Sequence, residues 1–242
     1  MILYIVSLRR STTRRKTVLQ NPFGKVGYEF FDAFDASRGE HEGVSRYDEK
    51  GALQHFGLPL TPGEVACYAS HYHLWEKCRS SGLPIAVMED DVAISTRFEA
   101  AFELAKTVVV EHRFIRLAAQ HDRPFRIIRS LDASHRLIRF LQGPAGTQCY
   151  CLSPDGAAAL LDGASRWIEP VDVYIDSFWR HTVTPKAIIP FEAREMDRSI
   201  VESTIGNRKF HRAGWAKLRR EATRARDAIA RIVFNATHPD TF

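Results

Sequence analysis

The chain has 242 residues, 45% of them apolar and 26% charged, a balance that suits one large α/β domain with a real core and excludes global disorder. No run reaches the eighteen or so apolar residues that a membrane-spanning helix needs. The net charge of +5 is unevenly placed: residues 206–242 hold nine Lys/Arg against three acidic residues, and the remainder is close to neutral.

Ile2 to Leu8 reads as a buried first strand. Its apolar run precedes the basic residues, the reverse of a secretory signal, so a cytoplasmic protein is expected. The stretch RRSTTRRKTVLQ then begins a polar-to-basic helix, and Phe30 to Phe34 is a second apolar segment. Residues 36–56 show little periodicity. Thr61-Pro62-Gly63-Glu64 opens a helix running to about Arg79, with Thr61 as cap, Pro62 in the first turn and Glu64 three residues after the cap. At 100° per residue, Glu64, Tyr68, His71 and Trp75 fall on one stripe. A carboxylate, an imidazole and two aromatics can wall a polar ligand; equally, the aromatics can be core while the polar pair bonds nearby.

Ser81-Gly82-Leu83-Pro84 breaks that helix, and Pro84 to Met88 is a short apolar run of the kind found in buried parallel strands. Further strands are expected over Phe114 to Ala118, Arg126 to Leu131, Arg136 to Leu141, Gly146 to Ser153 and Ala187 to Pro190. The second and third of these can form a hairpin around Asp132-Ala133-Ser134. Helices are expected on Ala157 to Leu161 and Pro170 to Arg180. Strands alternating with helices in the first half predict a largely parallel sheet. Cys67 and Cys78, and the Cys149-x-Cys151 pair, match no usual zinc spacing. In a strand, Cys149 and Cys151 share a face and serve as small core residues.

Glu89-Asp90-Asp91, directly after a buried strand, is the sharpest signal. Adjacent like charges are costly unless a cation compensates them, and ligands of open α/β sheets bind beyond the carboxyl ends of strands. Carboxylates there suit Mg²⁺ or Mn²⁺, which take one or two protein oxygens plus substrate phosphates. Such a metal neutralises a diphosphate as it departs.

Several segments, in order, resemble glycosyltransferase family 25, the lipooligosaccharide galactosyltransferases and their relatives. They are ILYIVSLRRS with Arg14-Arg15, LTPGEVACYASHYHLWEKC (Leu60 to Cys78), PIAVMEDDV (Pro84 to Val92), GTQCYCLSPDGAAALL (Gly146 to Leu161) and PVD (Pro170 to Asp172). The resemblance spans residues 1–205 and implies a GT-A-like fold, a nucleotide-sugar donor such as UDP-galactose, and inversion at the anomeric carbon. It further implies that Glu89, Asp90 and Asp91 form the metal and donor motif, with Asp91 and Glu89 on the ion. Glu64, Ser70 and His71 would line the donor site. Arg10, Arg14 and Arg15 would belong to the nucleotide side. Ser7 is a departure, since related sequences often carry Asn there. An inverting transferase needs a base for the acceptor hydroxyl; the candidates are Asp172 and, one turn later on the same helix face, Asp176.

Residues 206–242 form a separate tail in this reading. From Arg212 to Phe234, Trp215, Leu218, Ile229, Ile232, Val233 and Phe234 alternate with Arg219, Arg220, Arg224, Arg226 and Arg231, a basic amphipathic helix. Such a helix can lie on an anionic membrane surface, here the inner face of the cytoplasmic membrane, or it can pack on the domain or serve self-association. No aromatic-basic motif supports nucleic-acid binding. The expected partners are therefore a UDP-hexose and a glycan or lipid-linked glycan acceptor. Two other functions use the same residues: a metal-dependent phosphohydrolase, and a catalytically silent nucleotide- or glycan-binding relative.

Overall fold

A computed structural model describes residues 1–196 and 214–239, with backbone alone for 214–219. The expected boundary near residue 205 lies outside the described residues. The main sheet has eight strands: β1 (Ile2–Ser7), β2 (Tyr28–Asp32), β3 (Ile85–Glu89), β5 (Phe114–Arg116), β6 (Phe125–Ser130), β7 (Arg136–Phe140), β8 (Cys149–Leu152) and β9 (Lys186–Ile189). Their spatial order is β2-β1-β3-β8-β5-β9-β7-β6, and β4 (Val92–Ile94) pairs separately with β10 (Ala193–Glu195).

The sheet is mixed. Parallel pairing holds for β2-β1-β3 and for β5 with β9; the other four main-sheet pairings are antiparallel. The expectation of a largely parallel sheet therefore describes its first half. The reason is β8, which enters between β3 and β5 in reverse and breaks the run. The hairpin of β6 and β7 adds a further antiparallel edge. One consequence matters for function: the carboxyl ends of β1, β2, β3 and β5 and the start of β8 all reach the same sheet edge.

Side-chain alternation assigns the two sheet faces. Tyr4, Ile85, Val87 and Tyr150 join one core, covered by α3 (Pro62–Ser81), α5 (Pro154–Gly163) and α6 (Val171–Asp176). Leu3, Ile5, Ala86, Met88, Cys149 and Cys151 join the other, under α1 (Thr12–Val18) and α4 (Phe98–His112). Both cysteines are buried and unbridged, as a core role requires. In α3 the capping box is complete: Thr61 Oγ1 accepts from Glu64 N at 3.2 Å, and the Glu64 carboxylate accepts from Thr61 N at 2.8 Å. Gly82, at φ 67°, closes the helix in the left-handed conformation glycine favours.

Two helices go beyond the sequence expectations, α2 (Glu49–His55) within the stretch of weak periodicity and α4. The expected helix over 170–180 is broken at Ser177 into α6 and α7 (Phe178–His181). The last helix, α8 (Gly214–Thr237), returns to the domain. Phe234 meets Phe178 edge-on with ring centroids 5.3 Å apart, and Asn235 Nδ2 donates to the Leu141 carbonyl at 2.9 Å. Its opposite face presents Ile229, Ile232 and Val233, each more than half exposed.

Candidate active site

Loops leaving β1, β2 and β3 border a cleft of two adjoining lobes that share part of their lining. The first lobe is walled by Ser7, Arg10, Arg14, Asp35, Ser70 and His71 among others, and the second by Glu64, Gln120, Thr147, Gln148, Asp172 and Glu195. Cys67, Glu89 and Asp91 face both. The acidic end of β3 thus stands at the junction.

Each acidic residue there is held differently. Asp90 Oδ2 accepts from Ser7 Oγ at 2.6 Å, so serine at position 7 orients a carboxylate at the end of the neighbouring strand. Arg14 Nη2 lies 3.1 Å from Asp90 Oδ1 and 2.8 Å from Asp91 Oδ2. Thr147, two residues before β8, donates to Glu89 Oε1. Asp91 Oδ1 is buried and has no hydrogen-bond partner.

The electrostatics follow from this crowding. Burial, reinforced by the charge of Asp91, pushes the Glu89 carboxyl up to about 8. Burial also raises Asp90 against the Ser7 bond and Arg14, and raises Asp91 against Arg14. Among the described residues, no three His, Cys, Asp or Glu side chains are gathered as a ready metal cage. The donor set instead fits an ion that takes one or two carboxylates, here Asp91 with its free oxygen and Glu89, and completes its shell with phosphate and water.

The arginines of the first segment separate into distinct roles. Arg10 pairs with Asp35 at 2.5 Å across the first lobe, and that contact holds the Asp35 carboxyl down at about 2. Arg14 faces the acidic cluster. Arg15 is outside the cleft lining: it donates to the Ser7 carbonyl at 2.9 Å, pairs with Asp32 at 2.5 Å and covers the Phe30 ring. It braces the end of β1. Ser70 is shared locally, accepting from Phe34 N at 3.0 Å and donating to the Ala66 carbonyl at 2.9 Å. Of the helix stripe, Tyr68 and Trp75 are core, Glu64 lines the second lobe, and His71 is fully buried behind the wall of the first. Glu64 also serves the α3 cap.

The two candidate bases differ. Asp172 lies half-buried in the second lobe, where burial raises its carboxyl against the Val173 N–H and the charge of Arg116. Asp176 is committed elsewhere: Oδ1 accepts from Arg116 at 2.7 Å and Oδ2 from Ala145 N at 2.7 Å. Sequence reasoning passed over Arg116, Thr147 and Gln148. Only their place at the shared sheet edge reveals them, and nothing in their local pattern does.

A mixed α/β sheet carries a carboxylate-lined cleft at its strand ends, the place where open α/β sheets bind their ligands. The chain belongs to the family described as Glycosyltransferase family 25 (LPS biosynthesis protein), whose pattern matches residues 1–175. It is 38% identical over 94 residues to the lipooligosaccharide biosynthesis protein lic2B of Haemophilus influenzae, covering 38% of this chain and 34% of that one. It is 28% identical over 187 residues to the lacto-N-neotetraose biosynthesis glycosyltransferase LgtE of Neisseria meningitidis, covering 70% and 64%. A mouse relative, 31% identical over 124 residues with 45% and 19% covered, is named inactive glycosyltransferase 25 family member 3. The chain therefore spans less than two thirds of the length of each of these relatives.

Proposed function

We propose that this chain is a metal-dependent, inverting glycosyltransferase of GT-A-like fold. It moves a hexose, with galactose the first choice, from a UDP-sugar to a lipopolysaccharide, lipooligosaccharide or related surface glycan. The observation that carries this reading is the junction of two lobes at Glu89 and Asp91. One lobe suits the nucleotide, the other the sugar and its acceptor, and the diphosphate then lies between them beside the carboxylates.

In the reaction, the acceptor hydroxyl oxygen attacks the anomeric carbon from the face opposite the diphosphate. Asp172 takes the hydroxyl proton as the new C–O bond forms. The bond from the anomeric carbon to the diphosphate breaks, and UDP leaves with the electron pair. Asp91 and Glu89 would hold Mn²⁺ or Mg²⁺, which would supply charge neutralisation for that leaving group. Arg14 orients Asp90 and Asp91, and Ser7 fixes Asp90.

Incubation with a panel of nucleotide-sugars and a lipooligosaccharide acceptor, with and without Mn²⁺, tests this. Release of UDP with labelled acceptor supports it; release of phosphate or UMP identifies a phosphohydrolase instead. A silent relative is the second reading, favoured by the mouse protein's name; it would bind UDP without turnover.

A cytoplasmic enzyme acting at the inner membrane face fits the exposed Ile229, Ile232 and Val233 beside Arg224 and Arg226 on α8. No helix among the described residues is long and apolar enough to cross a membrane, so the contact proposed is peripheral.

A further inference from the structure

His71 sits at the centre of α3, fully buried, with its ring between two very different neighbours. On one side its Nδ1 is 2.9 Å from the Tyr150 hydroxyl. On the other its Nε2 has no hydrogen-bond partner and lies 3.9 Å from Glu89 Oε1. The Tyr150 hydroxyl has a third neighbour: the Trp75 indole nitrogen, 3.0 Å away.

Only one arrangement of protons satisfies all of these groups. An indole N–H can only donate, so Trp75 donates to the Tyr150 oxygen. That leaves the Tyr150 proton needing an acceptor, and the His71 Nδ1 lone pair is the group in reach. Nδ1 is then unprotonated, and the neutral ring carries its proton on Nε2, facing Glu89. The opposite tautomer would leave the Tyr150 proton without an acceptor.

We propose that Trp75, Tyr150 and His71 form a fixed hydrogen-bond relay across the face of the sheet. It presents an Nε2–H donor to the Glu89 carboxyl group and so orients that group in the cleft. The Nε2 atom has essentially no open surface, which makes Glu89, rather than a diffusing ligand, its acceptor. A small movement of Glu89 as the cleft fills would close the 3.9 Å separation to a hydrogen bond. Tyr150 and His71 are in this sense positioning residues, acting on the reaction through Glu89. The geometry is set by secondary structure: His71 and Trp75 are one turn apart on α3, and Tyr150 stands on β8 between Cys149 and Cys151, which face the other core. The role of Glu89 rests on the proposed transferase reading; the tautomer does not.

Two-bond ¹H–¹⁵N correlation NMR of the full, ligand-free chain reads the tautomer directly, with His71 assigned by its loss in His71→Gln. The expected pattern has the proton on Nε2 and a hydrogen-bonded, unprotonated Nδ1. In Tyr150→Phe it should change toward exchange between tautomers. A wild-type ring protonated on Nδ1 would overturn the relay, and so would a Tyr150→Phe spectrum identical to wild type. In the transfer assay, Tyr150→Phe is expected to lower kcat about 10- to 100-fold while donor KM moves less than about twofold. The Tyr150→Phe, His71→Gln double variant should be no slower than His71→Gln alone; additive losses would contradict a single line of action. A wild-type chain with the expected tautomer but no transferase activity would count against the proposed function and leave the relay standing.

Discussion

The guanidinium of Arg116, at the end of β5, grips Asp176, at the end of α6, with 2.7 Å between Nη2 and Oδ1. Arg116 Nη1 also donates to the Gly146 carbonyl at 2.6 Å, and Asp176 accepts from Ala145 N, so the pair brackets the 143–146 loop beside the second lobe. A Cβ on Gly143 would collide with the Asp176 carboxylate, which is why the loop passes there as glycine. Asp176 is a structural ligand of this loop, and of the two candidate bases Asp172 is the one that lines the cleft.

Asp172→Asn is accordingly expected to lower turnover at least about a hundredfold, the scale of a lost general base. UDP binding, measured by calorimetry, should persist. Near-normal turnover would remove Asp172 from the mechanism.

Asp176→Ala should act on stability, because it leaves the Arg116 charge buried without its partner. A loss of roughly 3 kcal/mol in urea unfolding is expected. Wild-type stability together with abolished turnover would instead make Asp176 the base.

His181 gives a pH signature. Burial pulls its pKa down to about 4, while Nε2 faces the Tyr174 carbonyl at 3.1 Å and Nδ1 accepts from Val183 N. An unfolded histidine binds a proton from about pH 6.5 downward, and the folded one does not until about 4. Its contribution is therefore present above 6.5 and lost as pH falls through that window, roughly 3 kcal/mol in all. Glu89, with its raised pKa, has the opposite sign, stabilising at low pH and losing that contribution as pH rises through about 8. The histidine term must be read as a difference. The stability gap between wild type and His181→Gln should narrow from pH 7 to pH 4; a constant gap would refute it.

Much of this was legible in local pattern. The Thr61-Pro62-x-Glu64 box fixed the start of α3, and the apolar run before Glu89 marked a strand ending in acid. The stripe Phe98, Ala101, Phe102, Ala105, Val108 and Val109 that buries α4 recurs at helical spacing and is readable in the same way. Strand direction was not legible. A short buried strand such as β8 carries the same residues whichever way it runs, and only pairing decides. The division of labour between Asp172 and Asp176 was hidden for a related reason, since it depends on Arg116, sixty residues away from Asp176 and brought close by the sheet.

The tail offers a further test. Removing residues 212–242 should weaken co-sedimentation with anionic liposomes. It should also destabilise the domain, because Phe234 and Asn235 are packed against it. The triple change Ile229→Ser, Ile232→Ser, Val233→Ser separates the two effects: liposome binding should fall with stability nearly unchanged. Equal binding by that variant would assign the exposed face to something other than membrane.

The most direct measurement is UDP affinity by titration calorimetry with Mn²⁺ or with excess chelator, on wild type and Asp91→Asn. A divalent ion between Asp91, Glu89 and the diphosphate predicts that wild type loses at least about tenfold, or about 1.4 kcal/mol, in chelator. Asp91→Asn should be weak in both conditions. Equal UDP affinity in Mn²⁺ and chelator, unaffected by Asp91→Asn, would contradict it.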